Sequence, residues 1–234
     1  MPVMLSPNSS ILIPAGTVQL PGNLEIPNEA QGIIIFAHSS GMSRHSPRNR
    51  AIAQALREAG LATLLLALLT PEEEEIDRRT RHFHCDIPLL VSRLIAVTDW
   101  IRQNPATGHL KIGYFGASTG SAAAIVAAAL RSNTVEAIVS CSGRVDFVDS
   151  ALLSFTFSND SFSNNLLSNV QAPTLLIVGG EDFPVIGASE DALNQLQAVK
   201  RLAIVPGASH LFEEPGALEE VTQLAREWFK QYLN

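Results

Sequence analysis

Cysteine is nearly absent from this chain of 234 residues: there are two, Cys85 and Cys141. Two thiols cannot build a disulfide framework, and they read as free cysteines in a reducing compartment. Charge is also sparse. Only 17% of residues are charged, with 16 Lys+Arg against 23 Asp+Glu. This excludes the basic stripe that marks a nucleic-acid-binding protein. Long apolar runs are missing as well. LATLLLALL and AAAIVAAAL fall well short of the roughly 20 residues that span a bilayer. The first residues, MPVMLSPNSSILIPAG, carry neither the positive flank nor the long apolar stretch of a secretory signal. The expectation is a cytoplasmic protein with no nucleic-acid and no membrane partner.

What is present is a hydrophobic chain, 46% apolar, which excludes intrinsic disorder. A chain of this length can bury its apolar surface in one core. Ile33–Ala37, Leu61–Leu66, Lys111–Phe115, Val135–Ser140, Thr174–Val178 and Arg201–Val205 are continuous apolar runs. That pattern suits parallel strands covered on both faces. Weaker runs near Ile11–Ile13 and Thr17–Ile26 read as an antiparallel ribbon at the sheet edge, within residues 1–30.

Helices fall between the runs. Ser46-Pro47 reads as an N-cap with proline at the first helical position, opening a helix over Arg48–Ala59 that Gly60 ends. Ile87, Leu90, Val91, Leu94, Ile95, Thr98 and Ile101 line one helical face, as do Leu218, Val221, Leu224, Ala225, Trp228, Phe229 and Tyr232. The alternation gives an α/β fold and a single domain over residues 1–234. Thr70-Pro71-Glu72-Glu73 has capping-box spacing, and its glutamates read as a solvated helix start. Phe155–Asn165 reads as a surface excursion, so residues 143–172 form a candidate cap segment.

The chemistry concentrates at Gly116-Ala117-Ser118-Thr119-Gly120. A buried strand runs into this G-x-S-x-G and directly out into a small-residue helix, the context a nucleophile elbow requires. The turn lifts the Ser118 hydroxyl above the sheet and aims a helix N-terminus at it. Gly113, Gly116 and Gly120 also resemble a dinucleotide fingerprint. That reading needs an acid at the end of the next strand, and Ser140-Cys141-Ser142-Gly143 supplies none. No cofactor is expected.

A serine hydroxyl needs a base. His210 follows the last strand, at the same sheet edge as Ser118, where active-site groups of open α/β sheets collect. His38, His45 and His109 fit less well. The base needs an orienting carboxylate. Asp182, after the strand Thr174–Val178, gives the chain order Ser118, Asp182, His210; Glu181 and Asp146 are the alternatives. Backbone N–H groups of Thr119 and Ser40, with Ser39 close behind, are the expected oxyanion hole. His82-Phe83-His84-Cys85-Asp86 has metal-ligand residue types, but one short run cannot close a tetrahedral site, so no metal is expected. Arg44, Arg48 and Arg50 are candidates for the site mouth, and Cys141 reads as a small buried hydrophobe.

FAHSSGMSRHSPRN, YFGASTGSAAA, PTLLIVGGEDFPV and VPGASHLFEEPGALEE, taken in that order, resemble the α/β-hydrolase superfamily, and within it the dienelactone-hydrolase-like proteins, from about Ile33 to Leu233. The resemblance implies a mostly parallel sheet of about eight strands with helices on both faces. It also implies hydrolysis of a small ester, thioester or lactone through Ser118, Asp182 and His210. Two departures stand out. Ser118 occupies the place of the family's cysteine. Leu211-Phe212-Glu213-Glu214 follows His210 where the family carries an arginine for the substrate carboxylate, so Arg44, Arg48 or Arg144 would have to compensate. A non-catalytic binding module, or an acyltransferase or peptidase on the same triad, are the other readings.

Overall fold

The computed structural model describes residues 8–38, 42–148 and 166–234. Eight strands form one sheet in the order β1-β2-β4-β3-β5-β6-β7-β8. They are β1 (Asn8–Ala15), β2 (Val18–Glu25), β3 (Gly32–Ala37), β4 (Ala62–Leu66), β5 (Lys111–Ala117), β6 (Val135–Cys141), β7 (Thr174–Gly179) and β8 (Lys200–Val205). β1 and β2 form an antiparallel ribbon in which Ile13 faces Leu20, and β2 joins β4 antiparallel. Every pairing from β4 through β3 to β8 is parallel.

The runs of β3 to β7 are apolar because both faces are covered, whereas the run Arg201–Val205, expected to be covered likewise, forms the edge strand β8 and leaves Arg201 and Ile204 exposed and Leu202 and Ala203 half-buried. In β3, Ile33, Ile35 and Ala37 enter one core cluster while Ile34 and Phe36 enter the other. On the first face lie α4 (Ile87–Gln103) and α5 (Thr119–Leu130). α5 is built of Gly, Ser, Thr and Ala with few larger residues, so it sinks under α4 until all its residues but the last are buried. On the second face lie α2 (Pro47–Glu58) and α7 (Ala217–Leu233). α7 buries Val221, Ala225, Trp228, Phe229 and Leu233 and leaves its acids outside.

Several local expectations change. Ser46 does precede α2, but its side chain makes no capping bond. α3 (Pro71–Thr80) opens with the full capping box, Glu73 N donating to Thr70 Oγ1 and Thr70 N to Glu73 Oε2. Glu73 is not simply solvated: both guanidinium ends of the buried Arg93 on α4 grip its carboxylate. An arginine buried in α4 needs such a partner. These bonds hold the Glu73 carboxyl below its usual range. Two further helices, α1 (Met42–His45) and α6 (Phe183–Gln195), were not visible in the sequence. Phe155–Asn165, and most of the candidate cap segment, lie outside the described residues. Among those described, no helix is long and apolar enough to cross a membrane.

The chain leaves β3 outward to β4 and returns to the other side of β3 as β5. The strand order reverses there, and at such switch points the connections at the carboxyl edge diverge and open a crevice. Ser118 closes β5 at that edge.

Candidate functional site

Ser118 is the residue between β5 and α5, at φ 50° and ψ −124°. A side-chain-bearing residue rarely sits there, and such strain collects at functional sites. Neighbours pin the turn in place. Ser118 N donates to Cys141 O, while Ser121 N and Arg144 N both donate to Ser118 O. Gly120 is required by close approach, because a Cβ there would stand 2.0 Å from the carbonyl oxygen of Ala37. α5 therefore starts directly against the end of β3. Two more non-glycine residues with positive φ, Ser142 (42°) and Phe212 (52°), flank the same edge.

Asp182 and His210 are brought into direct contact. His210 Nδ1 lies 2.6 Å from Asp182 Oδ2. The backbone explains the pairing. Glu181 N donates to Ala208 O and Gly180 N to Val205 O, which staples the turn after β7 to the turn after β8. The two turns are so close that a Cβ on Gly179 would stand 2.4 Å from the carbonyl oxygens of Ala208 and Ser209. The Asp182 side chain is 11% exposed and that of His210 40%, so the acid is shielded while the ring remains reachable from solvent. With Nδ1 donating to the carboxylate, Nε2 of the neutral ring is left as a proton acceptor.

The alternative acids are engaged elsewhere or contribute only backbone. Asp146 chelates Arg144 through Oδ1 and Oδ2, and Glu181 contributes its N–H to the staple. Thr119 is the first residue of α5, as an oxyanion donor would have to be. Ser39 and Ser40 lie outside the described residues. The run His82–Asp86 is organised by Asp77, whose Oδ1 accepts from the N–H groups of Phe83 and His84.

Arg48 does not stand free at the mouth. Its Nη1 donates to Leu211 O and its Nη2 to Cys141 Sγ, and its guanidinium lies 5.2 Å from the Phe212 ring centroid. It thereby fastens α2 to the segment that follows His210. A cleft of about 560 Å³ opens on this side, lined among others by Arg48, Leu211, Phe212, Glu213 and Glu214. Cys141 is buried, and burial pushes its thiol up.

His38, where β3 ends, is packed against the rings of Phe36 and Phe115. Burial, helped by the charge of Arg48, lowers its pKa to about 3. An unfolded histidine takes up a proton near pH 6.5. Between these values the unfolded state binds more protons, so this contribution to stability is complete above pH 6.5 and is lost as pH falls toward 3. His38→Gln is expected to remove up to about 1.4 kcal/mol per pH unit from the slope of unfolding free energy across that window. Urea denaturation at stepped pH reads it directly; equal slopes in variant and parent would contradict a buried neutral ring.

The chain is 48% identical over 226 residues to a Mycobacterium tuberculosis protein named "Putative phosphoribosyl transferase". That match takes in 97% of this chain but 47% of the relative, so the chain spans about half the length of that protein. The crystal structure of a dienelactone hydrolase from Anabaena variabilis is similar at 58% identity and a TM-score of 0.88, covering 97% of this chain and 98% of that one. Est1E from Butyrivibrio proteoclasticus shares the fold at 17% identity and a TM-score of 0.73, over 95% and 98% of the two chains. Residues 20–233 match the dienelactone hydrolase family, and with that match covering most of its length the chain belongs to that family, within the α/β-hydrolase superfamily.

Proposed function

We propose that this chain is a serine hydrolase that cleaves a small carboxylic ester, thioester or lactone through an acyl-enzyme on Ser118. The observation that carries the reading is the 2.6 Å contact of His210 Nδ1 with Asp182 Oδ2, at the sheet edge where Ser118 sits on its strained turn. In this mechanism His210 Nε2 takes the Ser118 proton as Oγ attacks the carbonyl carbon. The oxyanion gathers charge against the Thr119 N–H and a second N–H expected at Ser40. The C–O bond of an ester or lactone, or the C–S bond of a thioester, then breaks, and His210 returns the proton to the departing alkoxide or thiolate. Water, deprotonated by the same ring, then releases the acid and restores the serine. Asp182 holds the imidazole in the accepting tautomer and balances its transient positive charge.

A fluorophosphonate probe tests this on the native protein. The expected product is a phosphonylated peptide containing Ser118, with labelling slowed by short-chain esters. A folded protein that resists the probe would overturn the reading. An added alcohol that diverts the acyl-enzyme to a new ester in preference to water would move the assignment to an acyltransferase.

A further inference from the structure

Arg144 and Asp146 leave β6 beside the nucleophile. The Arg144 N–H donates to the Ser118 carbonyl at 3.0 Å, so the Arg144 side chain leaves the main chain directly beside the turn that carries Ser118. Asp146 lies in the short 3-10 turn Val145–Phe147, which packs against both α5 and α6, the helices that follow Ser118 and Asp182. The pair therefore leaves the same sheet edge as the proposed nucleophile, on a turn that packs against the helices following Ser118 and Asp182.

The guanidinium is fully committed in charge but not in donors. Nε contacts Asp146 Oδ1 at 2.9 Å, and Nη2 contacts Oδ2 at 2.7 Å. The Phe147 ring centroid lies 3.9 Å from the guanidinium carbon. This two-point pair, braced by an aromatic face, is the geometry that holds a carboxylate best. Among the described residues nothing bonds Nη1. Both side chains stay about two-fifths exposed, at 39% and 41%. The hydrogen bonds hold the Asp146 carboxyl below its usual range, so it remains an anion. Beyond His210 the next charges along the chain are Glu213 and Glu214, and Arg48, the cation that reaches this segment, is engaged by Leu211 O, Cys141 Sγ and the Phe212 ring.

We propose that the Arg144–Asp146 pair sets the charge preference of the site: Asp146 occupies, from within the protein, the guanidinium that would otherwise receive the carboxylate of an anionic acyl group, and the substrates are esters and lactones whose acyl part is uncharged. This rests on the serine-hydrolase reading for its substrates, but not for the binding behaviour of Arg144. Losing the Asp146 charge frees the guanidinium and turns the same rim into a carboxylate site. Because the pair is part-exposed, that gain is screened by salt.

The test compares p-nitrophenyl pentanoate with mono-p-nitrophenyl glutarate, which differ in one terminal carboxylate. Asp146→Asn is expected to leave turnover of the pentanoate within about twofold and to raise the glutarate-to-pentanoate ratio of kcat/KM about tenfold. Adding Arg144→Gln to that variant should return the ratio to its original value. A second arm needs no catalysis: glutarate binding by calorimetry to Ser118→Ala should tighten about tenfold when Asp146→Asn is added, and should weaken again at high salt. A ratio and an affinity that both stay within twofold overturn the inference. If no variant hydrolyses either ester, the hydrolase reading fails while the glutarate affinity still decides the role of Arg144. Tighter binding then supports that role, and unchanged binding overturns it.

Discussion

Ser118→Ala is expected to lower ester hydrolysis by about 10⁵-fold or more, the loss found when a serine hydrolase is stripped of its nucleophile. At 1.36 kcal/mol per factor of ten this is about 7 kcal/mol of barrier. What remains is the background from positioning and backbone donors, which a bound ester still feels after the attacking oxygen has gone. The substitution separates chemistry from folding cleanly. Alanine at φ 50° and ψ −124° bears the same backbone strain as the serine, and the hydrogen bonds that pin the turn run through the main chain of residue 118. The melting temperature should therefore move by no more than a few degrees. Residual activity above about one per cent, with the fluorophosphonate signal lost, would mean that a different group attacks.

Much of the candidate site was legible because its signals are local. The strand, the glycines and the small-residue helix around Ser118 are contiguous, and a run buried on both faces announces a parallel strand without help from distant residues. The order Ser118, Asp182, His210 follows once each is placed after its strand, since parallel strands deliver their ends to one edge. What stayed hidden depends on contacts between distant segments. Arg48 read as a candidate for the site mouth, but its partners, Leu211 and Cys141, are 163 and 93 residues away. Glu73 read as one of four solvated acids because Arg93 lies on another helix. α6 was not legible because Gly187 and two adjacent acids interrupt it, and its apolar residues do not repeat on one face: only Val185, Ser189 and Ala192 are buried, while Phe183 is exposed. The pairing of Arg144 with Asp146 depends on the irregular backbone after β6, which no periodicity encodes.

Asp182→Asn tests the same three-residue unit from its far end, and it separates two of the three carboxylates that the sequence left in competition. The change removes one charge and keeps the shape. An asparagine turned to present its amide would donate to His210 Nδ1, push the ring proton to Nε2, and leave Ser118 facing a nitrogen that cannot accept. The expected fall in kcat is about 10⁴-fold, worth about 5.5 kcal/mol, and it should appear on neutral and anionic esters alike. Labelling by the fluorophosphonate should slow in parallel, because phosphonylation needs the same activated oxygen. Asp146→Asn is the same chemical change a short distance along the edge. It should leave turnover of the neutral ester within about twofold, since Asp146 faces a guanidinium and not the imidazole. A large kcat loss from Asp146→Asn together with a mild one from Asp182→Asn would exchange the two roles. The 2.6 Å contact at His210 would then be an ion pair that holds two loops together and takes no part in turnover.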